Sequence, residues 1–338
     1  MKVKHFFKTT IQLGTTLMVL FLASCGDTKK KESEPDTLVE ETEEAEKAME
    51  PFFKLSLAQW SLHKAIRDDK TLSNLDFAKK AKELGFEGVE YVSQLYKLEE
   101  GNEQASLDSI VAELKKRSDE HDIQNVLIMI DHEGDLSVSD KAARDEAIRR
   151  HSMWVDAAAE LGCSSVRVNL FGGEAEKDPK VWHENSVDGM GRLAEYAATK
   201  NINVIVENHG GLSSDAGKVV EVIKAINLPN CGTLPDFGNF CVKRDSGERW
   251  GGECIEQYDI YKGTEELMPY AKGVSAKAYD FDSLGYETTI DYTKMMKIIK
   301  DSGFKGFIGV EYEGNNLGEE EGILATKALL LKTAEEIK

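Results

Sequence analysis

The sequence predicts an α/β fold, a single (β/α)8 barrel, and three observations carry that expectation. Short β-branched runs alternate with longer stretches of helical period from residue 53 to the end, punctuated by Gly, Asn or Asp. From Pro51 onward 288 residues remain, close to the ~250 that such a barrel takes. The rival architecture, a doubly wound open sheet, needs a Gly-rich phosphate turn after its first strand. "QWSLHKAIRDD" contains no glycine.

The strands are read, in order, as 53–60 (FKLSLAQW), 88–92 (GVEYV), 123–131 (IQNVLIMID) and 164–171 (SSVRVNLF). Then follow 203–209 (NVIVENH), 231–237 (CGTLPDF), 273–279 (GVSAKAY) and 306–314 (GFIGVEYEG). Between them lie helical patterns such as "NLDFAKKAKELG", "ARDEAIRRHSMWVDAAAELG" and "DYTKMMKIIKDSG", and a last one over 319–337 closes the chain. Several end in Gly or Asn just before the next strand, the expected C-terminal cap.

The first 50 residues are set apart from this barrel. Lys2, Lys4 and Lys8 precede a run from Ile11 to Leu22 that is apolar apart from Gln12 and small or hydroxyl residues. The run is too short to span a membrane and reads as a secretory signal. It ends in "LASC", which resembles a bacterial lipobox with Cys25 as the lipidated residue; an ordinary signal peptide is the other reading. Residues 26–50 are polar and acidic and read as a solvated tether. The expected location is therefore exported, lipid-anchored to a bacterial membrane.

The net charge of −19 argues against a nucleic-acid partner and against an electrostatically held membrane surface. Membrane contact is expected only through the N-terminal anchor. Four cysteines follow Cys25, and no CxxC or Cys/His spacing among them suggests a thiolate zinc site. Cys163 and Cys231 sit just before apolar strands and read as buried. Cys241 and Cys254 either pair across a loop or remain thiols. The oligomeric state is left open.

A barrel places its reaction at the C-terminal ends of the strands. Strand side chains alternate between faces, so Glu207 shares a face with His209, and Glu311 with Glu313. The sixth strand ends in Asp236, and the seventh turns Ser275, Lys277 and Tyr279 to one side. Gln59, Glu90, Arg167 and Asn169 join the inward set. Carboxylates converging from three strands repel unless a positive charge sits among them, which a divalent cation supplies. Surface turn residues are the plainer reading of any one of them. Lys277 is read either as stabilising a developing oxyanion or as neutralising nearby carboxylates. Trp60, Phe171, Phe237 and Trp250 are candidates for an apolar floor and lid at the mouth or for the core. His63, His132 and His183 receive no role. "KRDSGERWGGEC" and "FDSLGYETT" read as polar loops over the mouth.

"VIVENHGG", "TLPDFGNF", "GVSAKAYDFD" and "GFIGVEYEG" together resemble the xylose-isomerase-like barrels grouped as sugar phosphate isomerases/epimerases, over roughly residues 53–337. The resemblance implies a divalent metal held by Glu207, Asp236 and Glu311, with the two glutamates also acting as acid and base. The strand-7 histidine of the family is missing here, and Asn239 stands where a histidine often follows the strand-6 aspartate. His209 is the candidate nitrogen ligand. An oxygen-rich set favours Mn²⁺ or Mg²⁺ over Zn²⁺. The expected substrate is a small carbohydrate, with Gln59, Glu90, Asn169, His209 and Tyr279 binding it and Glu207, Glu311 and Lys277 performing proton abstraction beside a carbonyl. Reprotonation makes an isomerase or epimerase. Export favours free sugars or glycosides, so a 3-keto-glycoside lyase using the same carbanion is the alternative. A sugar-binding lipoprotein without catalysis is the third. The family's endonuclease branch is excluded by the charge, the location and the missing histidines.

Overall fold

The computed structural model describes residues 50–172 and 178–337. The signal segment, its Cys25 and the tether as far as residue 49 lie outside the described residues. Among the described residues, eight parallel strands form one curled sheet. They are β1 (Lys54–Ala58), β2 (Gly88–Val92), β3 (Gln124–Met129), β4 (Ser165–Val168), β5 (Asn203–Glu207) and β6 (Cys231–Leu234). After a two-stranded insertion, β7 (Cys241–Arg244) and β8 (Cys254–Gln257), come β9 (Val274–Ala278) and β10 (Phe307–Tyr312). The order β6-β5-β4-β3-β2-β1-β10-β9 leaves β6 and β9 at the two ends. Bridges Asp236↔Ser275 and Thr233↔Ala271 join those ends, with Ser275 N donating to Pro235 O at 2.9 Å and Phe237 N donating to Ser275 O at 3.1 Å. The barrel is closed, which removes its sheet edges.

The helices alternate with the strands as the period predicts: α1 (Phe77–Glu83), α2 (Glu103–Glu120), α3 (Lys141–Leu161), α4 (Pro179–Ala198), α5 (Ala216–Ile226), α6 (Ile260–Leu267), α7 (Tyr292–Asp301) and α8 (Glu319–Glu336). Side chains of Asp140, Asp215 and Asp291 accept the orphan amides of Ala143, Lys218 and Lys294 at the starts of α3, α5 and α7. Gly162 and Asn227 end α3 and α5 in the left-handed conformation.

All the barrel strands but β2 are shorter than expected, and for β1 and β6 the local reason is plain. β1 stops at Ala58 because Gln59 turns its side chain onto the neighbouring strand: Oε1 accepts from Val92 N at 3.0 Å and Nε2 donates to Tyr96 OH at 2.9 Å. β6 stops at Leu234 because Pro235 has no N–H for the ladder.

The alternation divides the strands, apart from a register shift between β2 and β3 that leaves the adjacent Val126 and Leu127 both inside. Leu57, Val89, Val166, Val204 and Val310 face the helices and are buried. Inside the barrel Val126, Leu127, Ile205 and Leu234 form an apolar cluster with Ala58, Val92 and Met129. One inward step further along the strands, Ile205 gives way to Glu207 and Leu234 to Asp236, so the interior changes from apolar to charged as it approaches the mouth.

The loop after β6 differs from the open polar loop expected. β7 and β8 pair antiparallel, and Cys241 and Cys254 are joined by a disulfide across them. A two-stranded hairpin is marginal in water by itself. Closing a loop of 13 residues restricts the unfolded chain by about 3 kcal/mol, which holds it. Cys163 and Cys231 are buried thiols. The expected effect of a reductant is local: amide exchange accelerates over 241–257 while the amides of β1–β5 keep their protection. Hydrogen exchange read by mass spectrometry checks this.

Candidate active site

Glu207 ends β5, Asp236 follows β6 and Glu311 lies on β10, and one oxygen from each falls within 4.8 Å of the other two. All three side chains are buried. Backbone amides of Gly238 and Asn239 donate to Asp236 Oδ1 at 2.9 and 2.8 Å, and Asn239 Nδ2 donates to Glu207 Oε1 at 3.0 Å. Asn239 therefore ties two of the acids together. Asn208 fixes the strand ends below them, accepting from Asp236 N at 2.8 Å and donating to Asp236 O at 3.0 Å.

Two buried cations stand among the acids. Lys277 Nζ lies 2.9 Å from Glu313, 3.1 Å from Glu311 and 3.9 Å from Asp236. Burial works against its charge, but Glu311, Glu313 and Asp236 more than reverse this and hold the ammonium well above its ordinary value. Arg167 donates to both oxygens of Asp131, at 2.8 and 3.3 Å. Its Nε also sits 2.9 Å from Glu207 Oε2, close enough for charge pairing but off the line of a hydrogen bond. Asp131 keeps a lowered pKa: burial would raise it, and Arg167 outweighs burial.

Asn169 Nδ2 donates to Asp131 at 2.6 Å, which leaves its Oδ1 to accept from His209 Nδ1 at 2.8 Å. That assigns the hydrogen of His209 to Nδ1 and a lone pair to Nε2. Burial, aided by Arg167, pushes this imidazole down to about 4, so it is neutral. The carboxylate cluster does not take in His209 among the described residues. Ser275, on the strand where the resemblance would supply a histidine, contacts Asp236 Oδ2 at 2.7 Å and Glu311 Oε2 at 2.9 Å. A hydroxyl has one hydrogen, so it satisfies one of these oxygens. The other contact needs a proton or a cation.

That need, with five carboxylates (Asp131, Glu207, Asp236, Glu311, Glu313) facing two cations, fits a divalent metal with oxygen ligands. Burial pushes the carboxyls of Glu207 and Asp236 above their ordinary values, the response of acids short of positive charge.

A cavity of about 400 Å³ opens above this floor, bordered by Asp131, Arg167, His209, Glu311 and Glu313 and, higher up, by Trp60, Phe171 and Trp250. Other residues singled out in the sequence lie elsewhere. Gln59 is committed to Val92 and Tyr96. Glu90 lies inside the barrel, bonded to Ser56 Oγ at 2.6 Å, in space that exists because residue 309 is glycine: a Cβ there would lie 2.5 Å from both Glu90 oxygens. Phe237 packs on Tyr292 in the core. Tyr279 is half-buried and does not border the cavity. Asp131 was not singled out, although a carboxylate closing the third predicted strand is the same signal as Asp236 closing the sixth. His132, given no role from the sequence, borders the cavity with a φ of 61°.

The profile described as xylose isomerase-like TIM barrel matches residues 78–333. The chain belongs to this family. No curated protein matches it in sequence. Among solved structures, this barrel is similar to a 3-keto-D-glucoside 4-epimerase, YcjR, from E. coli (14% identity, TM-score 0.62, 82% of this chain and 98% of that one). It is also similar to an IolI protein with a bound zinc atom (16%, 0.63, 85% and 99%) and to an L-ribulose 3-epimerase (14%, 0.64, 84% and 96%). At these identities the likeness shows the barrel fold.

Two outcomes are expected from this site. Arg167→Met removes the partner of two buried carboxylates, and breaking such a network costs about 3–5 kcal/mol, read from urea unfolding. The second concerns Glu90, whose carboxyl burial pushes up to about 8, opposed by Ser56 and reinforced by Glu311 and Glu207. Its native proton is one the unfolded chain releases near pH 4–5, so this stabilisation is present below that range and is lost as pH rises toward 8. In chelator, the urea midpoint is expected to fall between about pH 5 and pH 8. Glu90→Gln reduces that slope without abolishing it, since Glu207 and Asp236 are raised too.

Proposed function

We propose that this chain is a divalent-metal-dependent sugar isomerase/epimerase that acts by proton abstraction next to a carbonyl, on a free sugar or sugar derivative. The observation that carries the reading is the convergence of Glu207, Asp236 and Glu311 within 4.8 Å at the barrel mouth, beside two buried cations. The family membership and the epimerases among its structural neighbours support it.

Glu207, Asp236 and Glu311 would hold the metal, Mn²⁺ or Mg²⁺ in preference to Zn²⁺ given three carboxylate donors, and it would supply electrophilic polarisation of the substrate carbonyl. His209 is better placed for substrate, its Nδ1 bonded to Asn169 and its neutral ring bordering the cavity. Glu207 is the base. It takes the proton from the carbon beside the carbonyl, whose electron pair forms the enediolate double bond as the carbonyl pair moves to oxygen. A proton taken up from water is returned through Glu311, on the opposite face for an epimerase or at the neighbouring carbon for an isomerase, and Glu207 gives up to water the proton it took. Lys277, held between Glu311 and Glu313, stabilises charge on the enediolate oxygen. Arg167 and Asn239 hold Glu207 in place.

The neighbour that acts on a 3-keto-glucoside favours one second reading, elimination of the aglycone from a 3-keto-glycoside through the same carbanion. We further place the protein in an exported compartment, anchored through lipid on Cys25. The Cys241–Cys254 disulfide supports this, because disulfides persist in oxidising compartments.

The test is deuterium incorporation in D₂O, with the full chain, Mn²⁺, and ketoses and 3-keto-glucosides as substrates, quenched and read by mass. Deuterium beside the carbonyl, or release of the aglycone, is expected. Glu207→Gln should lower either rate by about 10²–10⁴-fold, and chelation should abolish it. Exchange unaffected by Glu207→Gln would sink the assignment of the base. Sugar binding without exchange or release in any form would make the chain a binding protein.

A further inference from the structure

The hairpin over the mouth carries one exposed aromatic side chain beside the cavity. Trp250 lies in the turn between β7 and β8, within the span that the Cys241–Cys254 disulfide closes. Four large apolar side chains are exposed among the described residues, and of these Trp250 alone borders the cavity above the carboxylates. It is 47% exposed, with its ring 4.8 Å from that of His209.

Its seat is prepared by the strand that carries the base. Gly210, two residues beyond Asn208, has a φ of 87°, and a Cβ there would meet Arg249 Cγ at 2.9 Å and Trp250 Cη2 at 3.2 Å. The glycine thus lets the hairpin come down against the strand end. Arg249 packs in turn over the Phe171 ring, 3.8 Å from its centroid. A tryptophan placed this way is held at its back and edge while much of its surface stays in water.

The cavity below is divided by chemistry. Arg167, Glu311 and Asp131 make a charged floor, and Trp60, Phe171 and Trp250 make an aromatic rim. A volume of about 400 Å³ lies in the range, about 300–1,000 Å³, of pockets that enclose small-molecule ligands. One sugar ring over the floor leaves the rim for something else, and an indole face takes the apolar face of a ring while its edges stay wet.

We propose that Trp250 is a specificity-determining residue that stacks on a second ring, so that the substrate is a sugar carrying a further ring, a glycoside, in place of a free monosaccharide. This rests on the carbohydrate reading above. The disulfide's part is to hold the platform in position.

The experiment is a calorimetric titration of the full chain with Mn²⁺, using methyl β-D-glucoside, phenyl β-D-glucoside and cellobiose as probes. The two-ring probes are expected to bind about tenfold more tightly than the methyl glucoside, the scale of a good stacking contact. Trp250→Ala should remove that preference and Trp250→Phe should keep most of it, with unchanged melting temperatures showing that both variants are folded. Equal affinity for all three probes, no measurable binding of the two-ring probes, or an equal loss for all three in Trp250→Ala would overturn the proposal. The two readings fail separately. A ring preference without solvent exchange sinks the enolisation chemistry and keeps the platform, and exchange without a ring preference does the reverse.

Discussion

Lys277 reaches into a space that gives its ammonium almost no water, and it stays charged because Glu311 and Glu313 lie 3.1 and 2.9 Å away. Arg167 plays the same part on the other side, between Asp131 and Glu207. Each pair would be a poor source of stability alone, since desolvation offsets most of the attraction. Their value is positional. Without the two cations the acids at the strand ends would repel one another in a medium that screens little, and the mouth could not hold them at this spacing.

The rest of the site follows from that arrangement. Fixing Arg167 fixes Asp131, which orients Asn169, which sets the hydrogen of His209 on Nδ1. Fixing Lys277 fixes Glu311 and leaves Ser275 spanning Glu311 and Asp236 with one hydrogen for two oxygens. The excess of negative charge is confined to the three acids that face each other. Acids gathered this way form a pocket of negative charge at the mouth, and the apolar interior one step down the strands gives it a packed base.

The sequence read well where the physics was local. Alternation with period 2 put Glu207, Lys277, Glu311 and Arg167 inside the barrel, and Gly162 and Asn227 marked the ends of α3 and α5. It read less well where a side chain's partner came from a distant strand. Parity turns Glu90 inward as expected, but the missing Cβ at Gly309, 219 positions along, leaves room for it to bond Ser56, away from the cavity. Lys277 showed no carboxylate beside it in sequence because its partners sit on the next strand of the sheet, in register with it. Asp131 closes the third predicted strand as Asp236 closes the sixth, but its role depends on Arg167 and Asn169, which lie on and just after the next strand.

By itself, then, the sequence determined the barrel, the direction each strand side chain faces, and which acids stand at the strand ends. Those depend on the two periods and on short-range caps, which neighbouring residues settle among themselves. Only the tertiary structure decided which charges pair, which acid is buried as a neutral group, that Cys241 and Cys254 meet, and that Trp250 comes to rest on Gly210. Each of these is a contact between residues far apart in the chain, and its energy depends on a distance that exists only once the sheet has curled and closed.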